Sequence, residues 1–392
     1  EAVVTAPVST EDLFIRSREV LGPAFGAETS GFDLVGRHRY DAFARVYTRG
    51  GKADAGVTYS FAGLGNPVLS FGLFQFWGED GPRLGSQEEG APVDTLFVRQ
   101  RERSFSGSLS LRRSRLRSAF ALSLSGGLTW QHSELLGNDL EPTSHYALQR
   151  PDRSFSDLRA TASFSTARSH AFQLGAAEGV SLFLRGRLKR ELDVPDTLAA
   201  RAGKDGSVDE VVGTLRAYQA LGGSGHAAHV VGVRGAFGVG RGPGARAGHF
   251  RVGGASGHLE DISGLELFGG APLLFPVRGY GRTSRFGRNA WTLSAEYRFP
   301  LWLVNQGLGA WPLHVDRVVG SVFFDAGNAW GPELGLAGYE SPRRSSLASV
   351  GAEITTELLT LWKEPLRVRT GIGVPLVDGS DPRVYVRLGL SF

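Results

Sequence analysis

The sequence predicts an all-β chain, a transmembrane antiparallel up-and-down β-barrel of about sixteen strands. Three observations lead there. Apolar residues recur at every second position over long runs, the period of a strand rather than of a helix. The positions between them are rich in Ser, Gly, Thr and charges of both signs, which suits a wet lumen better than a packed soluble core. Trp77, Trp130, Trp302, Trp330 and Trp362 fall at predicted strand ends, where a girdle at the lipid interface needs them. A soluble sandwich with its apolar face inward shares the alternation, but it must explain separately the polar face, the aromatic strand ends and the terminal Phe392 directly after an alternating strand. No run approaches the roughly 18 apolar residues of a spanning helix, so the chain is not a helical membrane protein.

The elements follow in order. Strands are predicted near 20–30, 36–49, 54–63, 67–77 and 95–113. The next, near 116–133, sets Phe120, Leu122, Leu124, Leu128 and Trp130 against Ser123, Ser125, Thr129 and Gln131. Three more are placed near 154–167, 178–192 and 209–221. Near 227–240, Val231, Val233, Phe237 and Val239 alternate with Gly232, Arg234 and Gly238. Near 289–303, Trp291, Leu293, Ala295, Tyr297, Phe299 and Leu301 alternate with Thr292, Ser294, Glu296 and Arg298. Strands near 316–328 and 347–361 precede one at 364–375, where Leu366, Val368, Ile372 and Val374 oppose Arg367, Arg369, Gly371 and Gly373. The last, 382–392, alternates Val384, Val386, Leu388, Leu390 and Phe392 with Arg383, Tyr385, Arg387, Gly389 and Ser391. Polar or Gly/Pro-rich segments at 78–92, 137–153, 193–206, 331–344 and 378–382 separate them, and loops of alternating length fit a barrel with short turns on one side. These patterns number about fifteen; an even count implies one more near the N-terminus.

Composition narrows the function. The chain has 392 residues, no Cys and no Met. Disulfides, thiolate metal sites and cysteine nucleophiles are thereby excluded, and an oxidising compartment is expected. With no leader ahead of Glu1, the sequence is read as a processed chain or a fragment. The net charge of +4 comes mainly from scattered Arg and favours anionic surroundings such as lipid phosphates, without specifying them, over nucleic acid, which is not expected as a partner.

Three motifs carry a family resemblance. Phe250-Arg251-Val252-Gly253-Gly254 precedes Val277-Arg278-Gly279-Tyr280; Phe323-Phe324-Asp325-Ala326-Gly327 follows; the chain ends Val386-Arg387-Leu388-Gly389-Leu390-Ser391-Phe392. Together they resemble the Omp85 superfamily: its sixth-loop signature, its Phe-x-Asp-x-Gly strand and a targeting signal carried by Leu388, Leu390 and Phe392. Five strand patterns follow the loop motif, as they would if that loop joined strands eleven and twelve of sixteen. The resemblance implies an outer-membrane barrel over 20–392, a sixth loop at about 241–288 folded into the lumen, and contact of Arg278 with Asp325 and Glu296. It is specific for residues 225–392 and architectural before them. Family members carry periplasmic POTRA modules; residues 1–19, an extension or linker, are too few for one. Such modules were removed, belong to a separate chain, or are dispensed with. The segment between Gly254 and Val277 is longer than a compact sixth loop, and it carries Glu260, Asp261, Glu266 and an apolar patch at 273–275.

Parity points to the same contacts. A guanidinium withdrawn from water needs carboxylate partners. Glu296 and Asp325 both lie on the polar faces of neighbouring strands, and a planar guanidinium can bind a carboxylate through two hydrogen bonds. Gly279 permits a φ closed to other residues, and Tyr280 is placed against the inner wall. The alternative is that Arg278 sits on an exposed hairpin and touches nothing.

Enzyme chemistry finds no anchor. His226, His229, His249 and His258 lack Cys and a helix to align them, so no metal or cofactor is expected. The glycine-rich run 235–244 fits neither dinucleotide nor P-loop spacing and reads as a turn. No Gly-x-Ser-x-Gly elbow occurs. Glu353 and Glu357 share a polar face and are assigned to Arg367 and Arg369 on the next strand. The basic run 112–117 reads as a solvated hairpin. The expected function is insertion, assembly or translocation of proteins at the outer membrane, with client proteins or separate periplasmic subunits as partners. The alternative is a structural barrel that anchors a multi-subunit complex and transports nothing; a passive pore ranks below both.

Overall fold

The computed structural model describes residues 2–3, 22–48, 51–85, 94–136, 152–169, 175–193, 205–222, 228–245, 249–255, 275–281, 283–307, 309, 311, 313–331, 345–360, 364–377 and 381–390. Strands dominate throughout. Among the described residues the only helical element is a 3-10 turn at Pro243–Ala245. By its contacts the chain falls into two units: Glu1–Arg112 with Ser123–Ala160 and Leu188–Ala200, and Arg113–Leu122 with Thr161–Arg187 and Arg201–Phe392.

The first unit contains β1 (Ala2–Val3), β2 (Ala24–Phe32), β3 (His38–Tyr47), β4 (Ala53–Phe61), β5 (Val68–Gly85) and most of β6 (Asp94–Arg115). Each pairs antiparallel with the one before it. The turn after β2 is fastened by Asp33, whose carboxylate accepts the His38 N–H at 2.8 Å. That hydrogen bond holds the Asp33 carboxyl below its ordinary pKa. β5 runs beyond the predicted 67–77 because its ladder to β6 continues through Glu79↔Arg99 and, after a bulge, Arg83↔Leu96. Backbone pairing needs no apolar face, so alternation could not reveal this extension. Trp77 accordingly lies inside a strand, not at its end. It is buried with Ala24 and Tyr47 under the Lys52 ammonium, 4.1 Å from its ring centre, and cannot serve a lipid girdle. Trp130, Trp302 and Trp330 are exposed; Trp362 lies outside the described residues.

β7 (Ser118–Leu136), β8 (Asp152–Ser165) and β9 (Gly179–Glu191) each contribute to both units, and the turn before β7 is Leu116-Arg117 within the basic run. The second unit continues with β10 (Val208–Ala220), β11 (Val230–Arg241), β12 (Phe250–Val252), β13 (Arg285–Gly287), β14 (Asn289–Gly307), β15 (Leu313–Trp330), β16 (Leu347–Thr360), β17 (Glu364–Pro375) and β18 (Arg383–Leu390). Its sheet runs β10-β11-β14-β15-β16-β17-β18, antiparallel throughout. The short β12 and β13 form their own hairpin-like pair inside the 242–288 segment. Three residues each are too few for a periodic signal, and the sequence reading missed them.

The two faces of this sheet invert the order of a soluble protein. On β15, Val322 and Phe324 are 46% and 40% exposed, while Asp325 and Phe323 between and beside them are 2% and 5% exposed. Leu293, Phe237, Ile354 and Ile372 share the exposed face, and Thr292, Ser321 and Glu353 share the buried one. An apolar face left uncovered beside a covered polar face is the pattern of strands that face lipid on one side.

What covers the polar face is the 242–288 segment. Phe250, Val252, Phe275, Val277 and Tyr280 pack with Val212, Ala236, Ala290, Ala329 and Leu347 of the strands. The Phe250 and Phe275 rings meet edge to face at 5.3 Å. They occupy the space over Gly238, where a Cβ would come within 2.8 Å of either ring. The glycine-rich run is therefore strand as far as Arg241, not a turn: its small residues leave room for aromatic rings, and the turn follows at Gly242.

Candidate functional site: a loop tip on the inner face

The two limbs of the segment are drawn together before the tip. β12 and β13 pair Phe250 with Gly287 and Val252 with Arg285, and the Gly254 N–H donates to the Tyr280 carbonyl at 3.1 Å. Gly253 has φ +126°, and a Cβ there would lie 2.1 Å from the Gly281 carbonyl oxygen, so only glycine fits.

Arg278 is then aimed at the inner face of β14 and β15. Its Nε donates to Asp325 Oδ2 at 2.7 Å and its Nη2 to Asp325 Oδ1 at 2.8 Å, a two-pronged contact. Its backbone N–H reaches Asp325 Oδ2 at 3.1 Å, and Nη1 donates to Glu296 Oε2 at 3.1 Å. The Ser294 hydroxyl accepts from Nη2 at 3.2 Å and donates to Asp325 Oδ1 at 2.6 Å. Beneath the guanidinium, 3.5 Å from its carbon, lies the centre of the Phe323 ring, which attracts the cation through its π face. Arg278 is only 5% exposed. Burial works against its charge, but the Asp325, Glu296 and Glu353 carboxylates outweigh burial and raise its pKa above the ordinary value.

The register explains the convergence. Ser294 lies opposite Asp325, and Glu296 opposite Phe323, so three side chains that touch Arg278 and the ring below it occupy two alternate rungs, neighbours on one face. Ser321 lies opposite Glu353, two rungs further and on the same face. Glu353 Oε2 stands 3.8 Å from Arg278 Nη1 and accepts from the Tyr385 hydroxyl at 3.0 Å and from Arg387 Nη2; Arg369 lies 3.7 Å from its other oxygen. Glu357 pairs with Arg367 at 2.6 Å and with Arg317 at 3.1 Å. Glu353 thus joins the last strand to the loop tip, a role the sequence reading did not give it. Its inward parity was legible, as was that of Tyr385 and Arg387, but strand register was not. Replacing Glu353 with Gln keeps a hydrogen-bond acceptor for Tyr385 and removes the charge shared by three guanidiniums. The expected cost is about 3 kcal/mol, the scale of a broken buried pair, read as a lower temperature of unfolding in detergent. An unchanged temperature contradicts the hub.

The tip itself rests backbone on backbone. Gly279 has φ +87°, and a Cβ there would lie 2.9 Å from the Gly373 carbonyl carbon. Reciprocally, a Cβ on Gly373 would lie 2.5 Å from Gly279 N. Gly373 was another residue that parity placed inward but gave no reason to single out. The Tyr280 hydroxyl donates towards the Ala348 and Val377 carbonyls at 2.8 and 3.0 Å, pinning the tip to the ends of β16 and β17. Leu388 and Leu390 lie in the backbone of β18, opposite Val368 and Leu366, with side chains outside the described set; Phe392 lies outside the described residues altogether. His249 is 2.6 Å from Glu210 and His229 2.7 Å from the Tyr297 hydroxyl, in separate contacts; His226 and His258 lie outside the described residues.

Solved structures give three points of comparison. CdiB from Acinetobacter baumannii aligns with a TM-score of 0.50 at 12% identity, covering 95% of this chain and 57% of that one. BamA from Haemophilus ducreyi lacking POTRA domains 1–3 aligns with a TM-score of 0.48 at 14% identity, covering 94% of this chain and 67% of that one. CdiB from Escherichia coli gives 0.47 at 14% identity, with 95% and 60% covered. At such identities the likeness to CdiB from A. baumannii is one of fold, and this chain spans 57% to 60% of the length of the two CdiB chains. No curated protein sequence matches the chain. A family model described as the Omp85 superfamily domain matches residues 68–377, well over half of the sequence, and the chain belongs to the Omp85 superfamily.

Proposed function

We propose that the chain is an outer-membrane barrel acting in the insertion, assembly or translocation of proteins at that membrane. The observation that supports this most is the Arg278-Gly279-Tyr280 tip held on the inner face of β14 to β17 in a chain of this superfamily. The exposed apolar face is read as the lipid-facing surface, with outer-membrane lipids and lipopolysaccharide against it. The tip acts as a brace: the Arg278 cation links β14, β15 and β16 and Gly279 rests on β17, so the wall between β14 and β17 stays rigid while the edge of β18 offers backbone N–H and C=O groups to a client strand. The work is physical, without bond chemistry. Client proteins, and separate periplasmic subunits that deliver them, are the partners. The length of the 242–288 segment favours a second reading, a barrel that anchors a multi-subunit complex and moves nothing.

The test is reconstitution of the chain into liposomes with an unfolded outer-membrane protein as client, following its conversion to a protease-resistant form. Faster conversion than in empty liposomes is expected, with loss of the gain in Arg278→Ala. Conversion no faster than in empty liposomes contradicts the proposal. Stoichiometric subunits retained in native mass spectrometry would then support the anchor.

A further inference from the structure

β18 ends the sheet of the second unit, and among the described residues it pairs with one strand, β17. A strand with a single neighbour has fewer backbone hydrogen bonds than an inner one, so it opens locally at lower cost unless something else holds it. Its side chains supply that hold. Arg383, Tyr385 and Arg387 fall at every second position of β18, and each meets the loop segment or the carboxylate under its tip.

Tyr385 is the centre of the contact. It is 3% exposed and packs with Ala255, next to Gly254 in the loop segment, and with Phe323, whose ring lies beneath the Arg278 guanidinium. Its hydroxyl donates to Glu353 Oε2 at 3.0 Å, and Arg387 Nη2 donates to the same oxygen. Glu353 stands on β16, so both side chains reach across β17. The register shows how. Gly371 of β17 lies opposite Glu353 on one side and opposite Tyr385 on the other. A Cβ on Gly371 would lie 2.6 Å from the Tyr385 hydroxyl oxygen and 2.7 Å from Cζ, so the bare glycine is the passage for the ring. At the head of β18, a Cβ on Gly281 would lie 3.5 Å from Arg383 Nη1, which sets that guanidinium beside the tip. None of these contacts uses the β18 backbone: side chains leave a strand through its faces, and the N–H and C=O groups lie along its edges.

We propose that Tyr385 and Arg387, with Arg383, are positioning residues: they clamp β18 to Glu353 and the loop tip, and so hold in a fixed register the edge at which a client strand pairs. The clamp is argued from contacts alone; its use in client pairing rests on the transport reading above. Loop and edge strand then form one unit, and a client meets a template whose position is set before it arrives.

The test follows hydrogen exchange of the full chain in micelles by mass spectrometry. Tyr385→Phe keeps the ring over Gly371 and removes the bond to Glu353; Gly371→Ala closes the passage and pushes the hydroxyl away. Each should speed exchange of the 383–390 amides by about tenfold, the scale of one hydrogen bond to a charged group, and leave the β10 and β11 amides unchanged. Unchanged exchange in β18 for both variants, or an equal rise in β10 and β11, overturns the clamp. A second arm measures client conversion in liposomes. Tyr385→Phe should slow it. A disulfide between Thr370→Cys and Val386→Cys, register partners on the opposite face in a chain with no cysteine of its own, should restore it when oxidised and not when reduced. Unslowed conversion, or a loss that the disulfide does not relieve, overturns the positioning role. No conversion by the parent chain, with exchange responding as stated, contradicts the transport reading and with it the positioning role, while the clamp stands.

Discussion

Arg278→Ala is expected to destabilise the chain by about 3–5 kcal/mol, the cost of removing one member of a buried ion pair and leaving its partners charged. Three features set the size of the effect. Asp325 is 2% exposed and receives two guanidinium prongs and the Arg278 amide, so its truncated partner leaves a nearly dry carboxylate. Glu296 and Glu353 lose the cation that separates them from Asp325. The Phe323 ring loses the guanidinium above it. For a chain of this size the loss corresponds to a fall of roughly 5 °C in unfolding temperature. Arg278→Lys should recover little of it, because a point charge cannot serve both Asp325 oxygens and Glu296 together. Boiling-resistance on electrophoresis checks both; recovery by Lys to the level of Arg would show that charge alone matters.

A comparable loss is expected from a substitution that removes no charge at all. Gly373→Val places a Cβ 2.5 Å from Gly279 N and 3.0 Å from the Arg278 carbonyl carbon, both backbone atoms with nowhere to go. The strand cannot yield without breaking its ladder to β16 and β18, so the loop tip must lift. Lifting the tip withdraws Arg278 from Asp325 and the Tyr280 hydroxyl from Ala348 and Val377. The reciprocal Gly279→Ala meets the same contact and adds about 1–2 kcal/mol for a left-handed backbone carrying a side chain. Limited proteolysis of the 242–288 segment, together with the unfolding temperature, checks the outcome. A Gly373→Val protein as protease-resistant as the parent would mean that the tip does not sit on β17.

The strands were legible in the sequence wherever one face met lipid-like exposure, because only there does an apolar residue recur at every second position. Where the ladder continues beyond that zone the signal fades: β5 carries on through the polar 78–85 stretch, and Trp77 looked like a strand end when it is a buried residue under Lys52. Glycines misled for a related reason. The run at 235–244 suggested a turn over the end of the strand predicted at 227–240, yet Gly238 is strand with the Phe250 and Phe275 rings filling its missing side chain. At the site, parity and motif together placed Arg278, Glu296 and Asp325 on the inner side. They could not identify Glu353, Tyr385 or Gly373 as neighbours of the tip. Those contacts depend on the rung each residue occupies and on where a long segment comes to rest, and sequence alternation specifies neither.

The contact between Arg278 and Asp325 is tested most directly by a double-mutant cycle in micelles: Arg278→Ala, Asp325→Ala, and both together. If the loop tip is held by this pair, the loss in the double variant should fall short of the sum of the two single losses by a coupling energy of about 1–3 kcal/mol. Losses that add to within about 0.5 kcal/mol would mean that the two residues act separately and that the tip is not held by this pair.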